Sequence, residues 1–216
     1  MRGDTIIVEE HHRRAAAEIV PALLPKIRGS KRKYTISVAG ESGSGKSETA
    51  TAIADALAEE GIESVIFQQD DYFVYPPKSN DRARRDDIAW VGPQEVRLDL
   101  MDEHLSAFRE GAASIAKPLV VYETDSITTE DMPTAEAQVA IAEGTYTSLL
   151  ENVDTRVFIA RDYAQTRAHR EKRKRDVAEL DPFIDEVLKI EHGMISRHRA
   201  RADIVINADY SVTPRD

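Results

Sequence analysis

The sequence predicts an α/β fold in three layers, a five-strand parallel sheet with helices on both faces. Three observations predict it. Short β-branched runs alternate with amphipathic helical stretches, as a parallel sheet requires when each crossover carries a helix. A chain of 216 residues that is 41% hydrophobic has enough apolar surface for one well-buried domain and too little for two. The first β-branched run passes directly into Gly40-Glu-Ser-Gly-Ser-Gly-Lys-Ser47 and then an alanine-rich helix, a strand–turn–helix unit.

From about Glu9 to Leu24, Ala, Ile, Val and Leu recur at helical spacing, closed by Pro21 and Pro25. This predicts a leading helix packed outside the sheet. Residues 1–30 are read as an N-terminal helical extension and 31–216 as a single domain. His11 and His12 read as an exposed pair, because sequence neighbours leave a helix on different faces. Tyr34 to Ala39 is the first strand. The helix after the glycine-rich turn runs to about Glu60 and ends at Gly61, and Ser64 to Gln68 is a strand leading into Asp70-Asp71-Tyr72. Pro76 to Asp87, dense in charge, reads as an exposed, mobile loop. A helix is expected from about Pro93 to Glu110, then a short strand from Lys117 to Tyr122 and a turn-rich return from Asp125 to Pro133. Gln138 to Ala142, Thr155 to Ala160 and Ala202 to Asn207 complete the strands. Two helices, from about Tyr163 and from about Pro182, precede the last strand.

A formal charge of −10 argues against the broad electropositive face that sequence-independent nucleic-acid binding needs, so no nucleic-acid partner is expected. The chain holds no cysteine, which excludes a disulfide framework and a cysteine metal site. No apolar run is long enough to span a bilayer and the N-terminus lacks a signal-peptide core. The expectation is a cytoplasmic protein with no membrane partner, a homo-oligomer being left open.

Gly40, Gly45, Lys46 and Ser47 satisfy G-x-x-x-x-G-K-[ST] in full, with the strand before and the helix after that the motif requires. Glycines let backbone N–H groups turn inward onto phosphate oxygens, and the helix N-terminus adds positive potential there. The candidate nucleotide-binding loop is Gly40, Glu41, Ser42, Gly43, Ser44, Gly45, Lys46, Ser47 and Glu48. Lys46 suits the terminal phosphates and the Ser47 hydroxyl suits Mg2+. Switch GTPases and ATP-driven motors share such loops, but the D-x-x-G and N-K-x-D elements of a switch are missing and motors usually belong to larger chains.

Asp70 ends the strand taken to lie beside the phosphate loop, where ligands of open α/β sheets bind. Its carboxylate is placed to accept a hydroxyl proton and to hold Mg2+ indirectly. Strand alternation favours Asp70 over Asp71 as the base, and helix capping is the plainer alternative for the pair. Glu143 ends another buried strand and points into the same crevice, a strand-closing turn being the alternative. Arg167, Arg170, Arg173 and Arg175 make a basic helix on which Arg170 and Arg173 share a face. That face is either a phosphate clamp or a solvated surface. Trp90 either stacks on an acceptor or fills core. Arg82, Arg84 and Arg85 alternate with Asp81, Asp86 and Asp87 and read as a self-neutralised loop.

Over roughly Tyr34 to Tyr210 the sequence resembles the uridine kinase and phosphoribulokinase family of P-loop kinases. The likeness rests on the phosphate loop, Gln69-Asp-Asp-Tyr-Phe73, Val121-Tyr-Glu123, Ile141-Ala-Glu-Gly144 and His169-Arg-Glu-Lys-Arg-Lys-Arg-Asp176, in that order. It implies a three-layer P-loop NTPase fold of the nucleoside-monophosphate-kinase type, with a helical lid at about 165–181 and a small acceptor-binding insertion. It implies an ATP- and Mg2+-dependent kinase acting on a hydroxyl of a nucleoside, sugar or related polyol. By the resemblance, Lys46, the general base Asp70 and the lid arginines Arg170 and Arg173 are catalytic. Ser47, Asp70 and Glu143 lie at the metal, and Asp70, Tyr72, Trp90, Tyr122, Glu143 and Arg170 at the acceptor. The rival classes are a nucleotide switch without transfer chemistry and a nucleic-acid-directed phosphotransferase.

Two positions depart from the family pattern. The histidine expected beyond Tyr122 falls near Ile127, and the stretch expected to carry an aspartate reads Ile88-Ala-Trp-Val-Gly-Pro93. A site without those polar partners loses discrimination for the matching substrate groups, so uridine is not the expected acceptor.

Overall fold

The computed structural model describes residues 6–162, 165 and 181–214. Its order is α1 (Glu10–Gly29), β1 (Tyr34–Gly40), α2 (Lys46–Glu59), β2 (Ser64–Gln68), α3 (Pro77–Asp86), α4 (Leu98–Arg109), β3 (Ser114–Val121), β4 (Ser126–Pro133), β5 (Val139–Gly144), β6 (Thr155–Ile159), α5 (Pro182–Ile195), β7 (Ile204–Ile206) and β8 (Val212–Pro214). The main sheet runs β2-β5-β1-β6-β7-β8, and β3 and β4 form a separate hairpin. The first five strands are parallel, as expected; β8 adds an antiparallel edge that the sequence reading left out.

Every residue of β1 and β5 is buried, because strands in the middle of a helix-covered parallel sheet meet apolar layers on both faces. One layer joins α1 and α2 to the sheet through Ile19, Leu23, Ile53 and Leu57. The other packs Met101, Leu105 and Phe108 of α4 against Phe67, Ala140 and Phe158.

Helix α1 continues past Pro21 and Pro25, which lie inside it on its exposed side. Each proline removes one backbone bond, but the freed carbonyls face water while Ile19, Val20, Leu23 and Ile27 keep the buried stripe continuous. His12 is wholly buried and not part of an exposed pair. Its burial comes from contacts with the far end of the chain, which helical periodicity does not reveal.

The segment expected as a mobile loop is helix α3. Asp125 caps its first turn, accepting the Lys78 N–H at 2.7 Å and the Ser79 hydroxyl at 2.8 Å. Arg85 binds Asp81 one turn back at 2.8 Å and Asp181 at 2.7 Å. Arg84 reaches inward to Glu95 at 2.6 Å. A stretch of low intrinsic helicity is thus ordered by tertiary partners. The turn-rich return after Asp125 is strand β4, paired along its length with β3. The helix expected from about Tyr163 and the lid arginines Arg167, Arg170, Arg173 and Arg175 lie outside the described residues.

Candidate active site

The carboxyl ends of β1, β5 and β2 meet at one edge of the sheet. Strand β5 separates the other two, so the strand that leads into Asp70, expected beside β1, is not its direct neighbour. Val38 and Gln68 both pair with Glu143 in register, which places Glu143 between the phosphate loop and the turn bearing Asp70. Gly144 is required there: a Cβ on it would lie 2.2 Å from Cβ of Gln69. The Gln69 side chain turns back to accept the Tyr146 N–H at 2.6 Å, which ties the end of β2 to the end of β5.

The loop from Gly40 to Ser47 has the shape of an anion cradle. Gly43 and Gly45 sit at φ 74° and 94°, a left-handed backbone that turns successive N–H groups inward. Gly45 is also the residue from which α2 departs, so the positive end of that helix faces the cradle. Ser44 N–H closes the turn onto the Glu41 carbonyl at 3.1 Å, and Lys46 Nζ donates to the same carbonyl at 3.0 Å. Glu41 accepts from His192 Nδ1 at 2.7 Å, which brings α5 to the loop. Ser42 is half-buried, and Ser44 and Glu48 are buried.

Ser47 Oγ donates to Glu143 Oε1 at 3.0 Å. Glu143 is 5% exposed. Burial, and then the charge of Asp70, push its carboxyl up to about 7. The Ser47 hydroxyl and the Glu143 carboxyl, with the charge of Asp70 felt at Glu143, offer oxygen donors of the kind a hard divalent cation takes.

Asp70 and Asp71 have different surroundings. Asp71 is buried; its Oδ1 accepts the Val120 N–H at 3.0 Å and its Oδ2 the Lys117 ammonium at 2.8 Å. Lys117 also meets Glu130 at 2.6 Å, so this cluster clamps the β3–β4 hairpin onto the sheet end. Asp70 is half-buried and has no hydrogen-bond partner among the described residues. Tyr72 is wholly buried and bonds His104 Nδ1 at 2.8 Å, so its hydroxyl faces the core and not the crevice. Tyr122 lies at the hairpin tip beneath the Lys78 ammonium, 5.7 Å from its ring centre.

Trp90 is not part of the core. Its ring centre lies 5.5 Å from that of Tyr75, the two planes tilted by 45°, and Tyr75 is 44% exposed. Its indole N–H donates to Asn80 at 2.9 Å, and Asn80 in turn donates to Glu95 at 2.6 Å. Arg84 lies between Glu95 and Glu191, at 2.6 and 3.4 Å. Burial raises the Glu191 carboxyl above its ordinary range even with Arg84 beside it. The sequence reading missed Glu95, Glu191 and His192. Their partners Arg84 and Glu41 lie 11 to 151 residues away, and no local pattern announces such pairs.

The model of the phosphoribulokinase / uridine kinase family matches residues 35–189. Among curated proteins, the bifunctional alpha-galactosidase/sucrose kinase AgaSK of Mediterraneibacter gnavus is 30% identical over 195 residues, covering 85% of this chain and 21% of that protein. The uridine kinase of Ureaplasma urealyticum is 30% identical over 135 residues, covering 60% of this chain and 63% of that protein. The chain therefore spans about a fifth of the first relative and under two thirds of the second. A possible uridine kinase from Bacillus stearothermophilus has the same fold, with a TM-score of 0.60 at 19% identity over 89% of this chain and 97% of that one.

Proposed function

The chain belongs to the phosphoribulokinase / uridine kinase family, and from that premise we propose that it is a Mg2+-dependent kinase that transfers the γ-phosphate of ATP to a hydroxyl of an uncharged sugar or related polyol. ATP-dependent transfer to a small molecule is the family's chemistry. The acceptor class, the metal and the individual roles are our reading, with residues 31–216 taken as the kinase domain.

The observation that carries the acceptor class is the state of the arginines near the crevice. Arg84 is neutralised by Glu95 and Glu191, Arg85 by Asp81 and Asp181, and Arg82 stands 3.8 Å from Asp125. Among the described residues Arg84 and Arg85 are thus already matched by carboxylates and are poorly placed to receive an acceptor's phosphate or carboxylate, while the carboxylate of Asp70 disfavours an anionic acceptor. Neutral hydroxyls donate readily to such a carboxylate. The Tyr75–Trp90 pair offers an aromatic face to the apolar side of a sugar ring. The match to a protein named as a sucrose kinase over 85% of this chain points the same way.

In this mechanism the loop amides and Lys46 bind and orient the phosphates. Asp70 takes the proton from the attacking hydroxyl at its free carboxylate. Ser47, Glu143 and Asp70 would hold Mg2+, which when bound neutralises charge on the transferring phosphoryl group. Arg170 and Arg173 are assigned the lid's role of stabilising that charge.

The test is a panel of neutral hexoses, disaccharides and polyols, pyrimidine nucleosides, and sugar phosphates with ATP and Mg2+, followed by ADP release. A neutral sugar or polyol is expected to give the highest kcat/KM. A sugar phosphate or uridine in first place would overturn the acceptor assignment.

A further inference from the structure

We propose that His12, on a helix that precedes the family-matched span 35–189, is a positioning residue for nucleotide binding, holding the Ser44–Gly45 turn of the phosphate loop through Tyr210. His12 is wholly buried, and Tyr210 is 5% exposed. The two lie 198 residues apart in the chain, and Tyr210 also falls outside the matched span. Neither residue belongs to the phosphate-loop motif, yet both pack against it.

The direction of the contacts follows from the donors and acceptors. His12 Nδ1 accepts the Glu9 N–H at 3.1 Å as part of the cap of α1. That bond leaves the ring proton on Nε2, which faces the Tyr210 hydroxyl at 3.4 Å. The same hydroxyl oxygen accepts from Arg161 at 2.6 Å, so its own proton is directed to the Ser44 carbonyl at 3.4 Å. The polar contacts therefore run one way, from the start of α1 to the phosphate loop. Glu9, His11 and His12 bring ligand atoms within 4.8 Å of one another, but the Glu9 N–H on Nδ1 and the loop against Nε2 leave His12 no open face for a metal.

Packing supports the same conclusion more strongly than the two long contacts do. A Cβ on Gly45 would lie 2.9 Å from His12 Nε2 and 3.0 Å from the Tyr210 oxygen. The left-handed turn at Gly45 is thus built against these two side chains. Tyr210 sits at φ 64°, a conformation that a bulky residue keeps only when its surroundings over-determine it. Those surroundings are His11, with ring centres 4.0 Å apart, the edge of the His12 ring at 5.2 Å and the Arg161 guanidinium at 5.0 Å. A cradle whose amides must converge on phosphate before the ligand arrives gains affinity from such preorganisation.

The inference rests on the reading that residues 40–47 hold the phosphates of ATP. It is tested by calorimetric titration of ATP, without acceptor, into the wild type, His12→Leu, His12→Gln, Tyr210→Phe and the His12→Leu/Tyr210→Phe double variant. Melting temperatures of the unliganded proteins and steady-state kinetics accompany it. His12→Leu is expected to weaken ATP binding by about tenfold, with KM for ATP rising in step and kcat falling far less. His12→Gln, which keeps a donor near the place of Nε2, should recover most of the affinity. The double variant should be no weaker than the worse single one, since both act on one path. Unchanged ATP affinity in His12→Leu and Tyr210→Phe would overturn the proposal, as would equal losses in the Leu and Gln variants. If His12→Leu does not fold, Tyr210→Phe decides alone. Failure of the wild type to bind ATP would sink the kinase reading itself, an outcome distinct from a loss confined to the variants.

Discussion

Lys117 and Asp71 face each other across 2.8 Å with side chains only 3% and 2% exposed, and this ion pair separates the roles of two adjacent aspartates. Asp71 is committed to holding the hairpin, which leaves Asp70 as the carboxylate available to a substrate. Asp70→Asn should lower kcat by at least ~10²-fold, with ATP affinity and thermal stability little changed. Asp71→Asn should instead destabilise the fold by about 3 kcal/mol, the low end for a broken buried pair because Glu130 still meets Lys117. Paired denaturation and kinetic measurements check both. A stable Asp71→Asn protein without activity would reverse the assignment.

Lys46→Ala should abolish phosphoryl transfer while leaving the fold intact. Its ammonium rests on the Glu41 carbonyl of the loop itself and is half-buried at the surface of the loop. Circular dichroism and an ADP-release assay decide; near-wild-type turnover in a folded Lys46→Ala protein would refute the kinase mechanism.

Trp90→Ala should raise KM for the preferred acceptor by about tenfold, the scale of losing one aromatic face, and leave KM for ATP unchanged. The indole is anchored by Asn80 and set at a tilt against the partly exposed Tyr75, and neither residue belongs to the phosphate loop. Equal changes in both KM values would mean that Trp90 has no acceptor-specific role.

Arg170→Ala and Arg173→Ala should each reduce kcat more than ATP affinity, because in the role proposed for them they act mainly on charge that develops in the transition state. Single and double variants compared at saturating ATP provide the measurement. Full activity in the double variant would make that face an ordinary solvated surface.

The contribution of His104 to stability should fall as the solution is acidified below neutrality, opposed by Glu143, whose raised carboxyl takes up its proton in the folded chain first. Burial lowers the His104 imidazole below its ordinary range, so as pH falls the unfolded chain takes up the proton first. The stability held by neutral His104 is complete above about pH 6.5 and is lost as pH drops through the lower folded value. His198, also lowered by burial, has the same sign. In urea denaturation from pH 7.5 to 5, His104→Gln should gain stability relative to the wild type as pH falls; a difference between the two that does not change with pH would show that His104 contributes nothing to the pH dependence.

Much of the fold and part of the candidate site were legible in the sequence. The strand–loop–helix at Gly40 to Ser47 is contiguous, and each of its requirements (left-handed glycines, a cation, a hydroxyl, a helix start) is local. The five parallel strands were legible because burial on both faces leaves unbroken β-branched runs. Asp70 and Glu143 could be singled out because Glu143 lies at the end of β5 and Asp70 follows closely on the end of β2. Tertiary structure alone decided the rest. It inserted β5 between β1 and β2, buried His12 under Tyr210, committed Asp71 to Lys117, and turned a charge-dense stretch into helix α3 through Asp125, Glu95 and Asp181. The physical reason is common to all four. Backbone geometry and hydrophobic periodicity are properties of neighbouring residues, whereas the partner of a buried charge or imidazole is set by which distant element the fold packs against it.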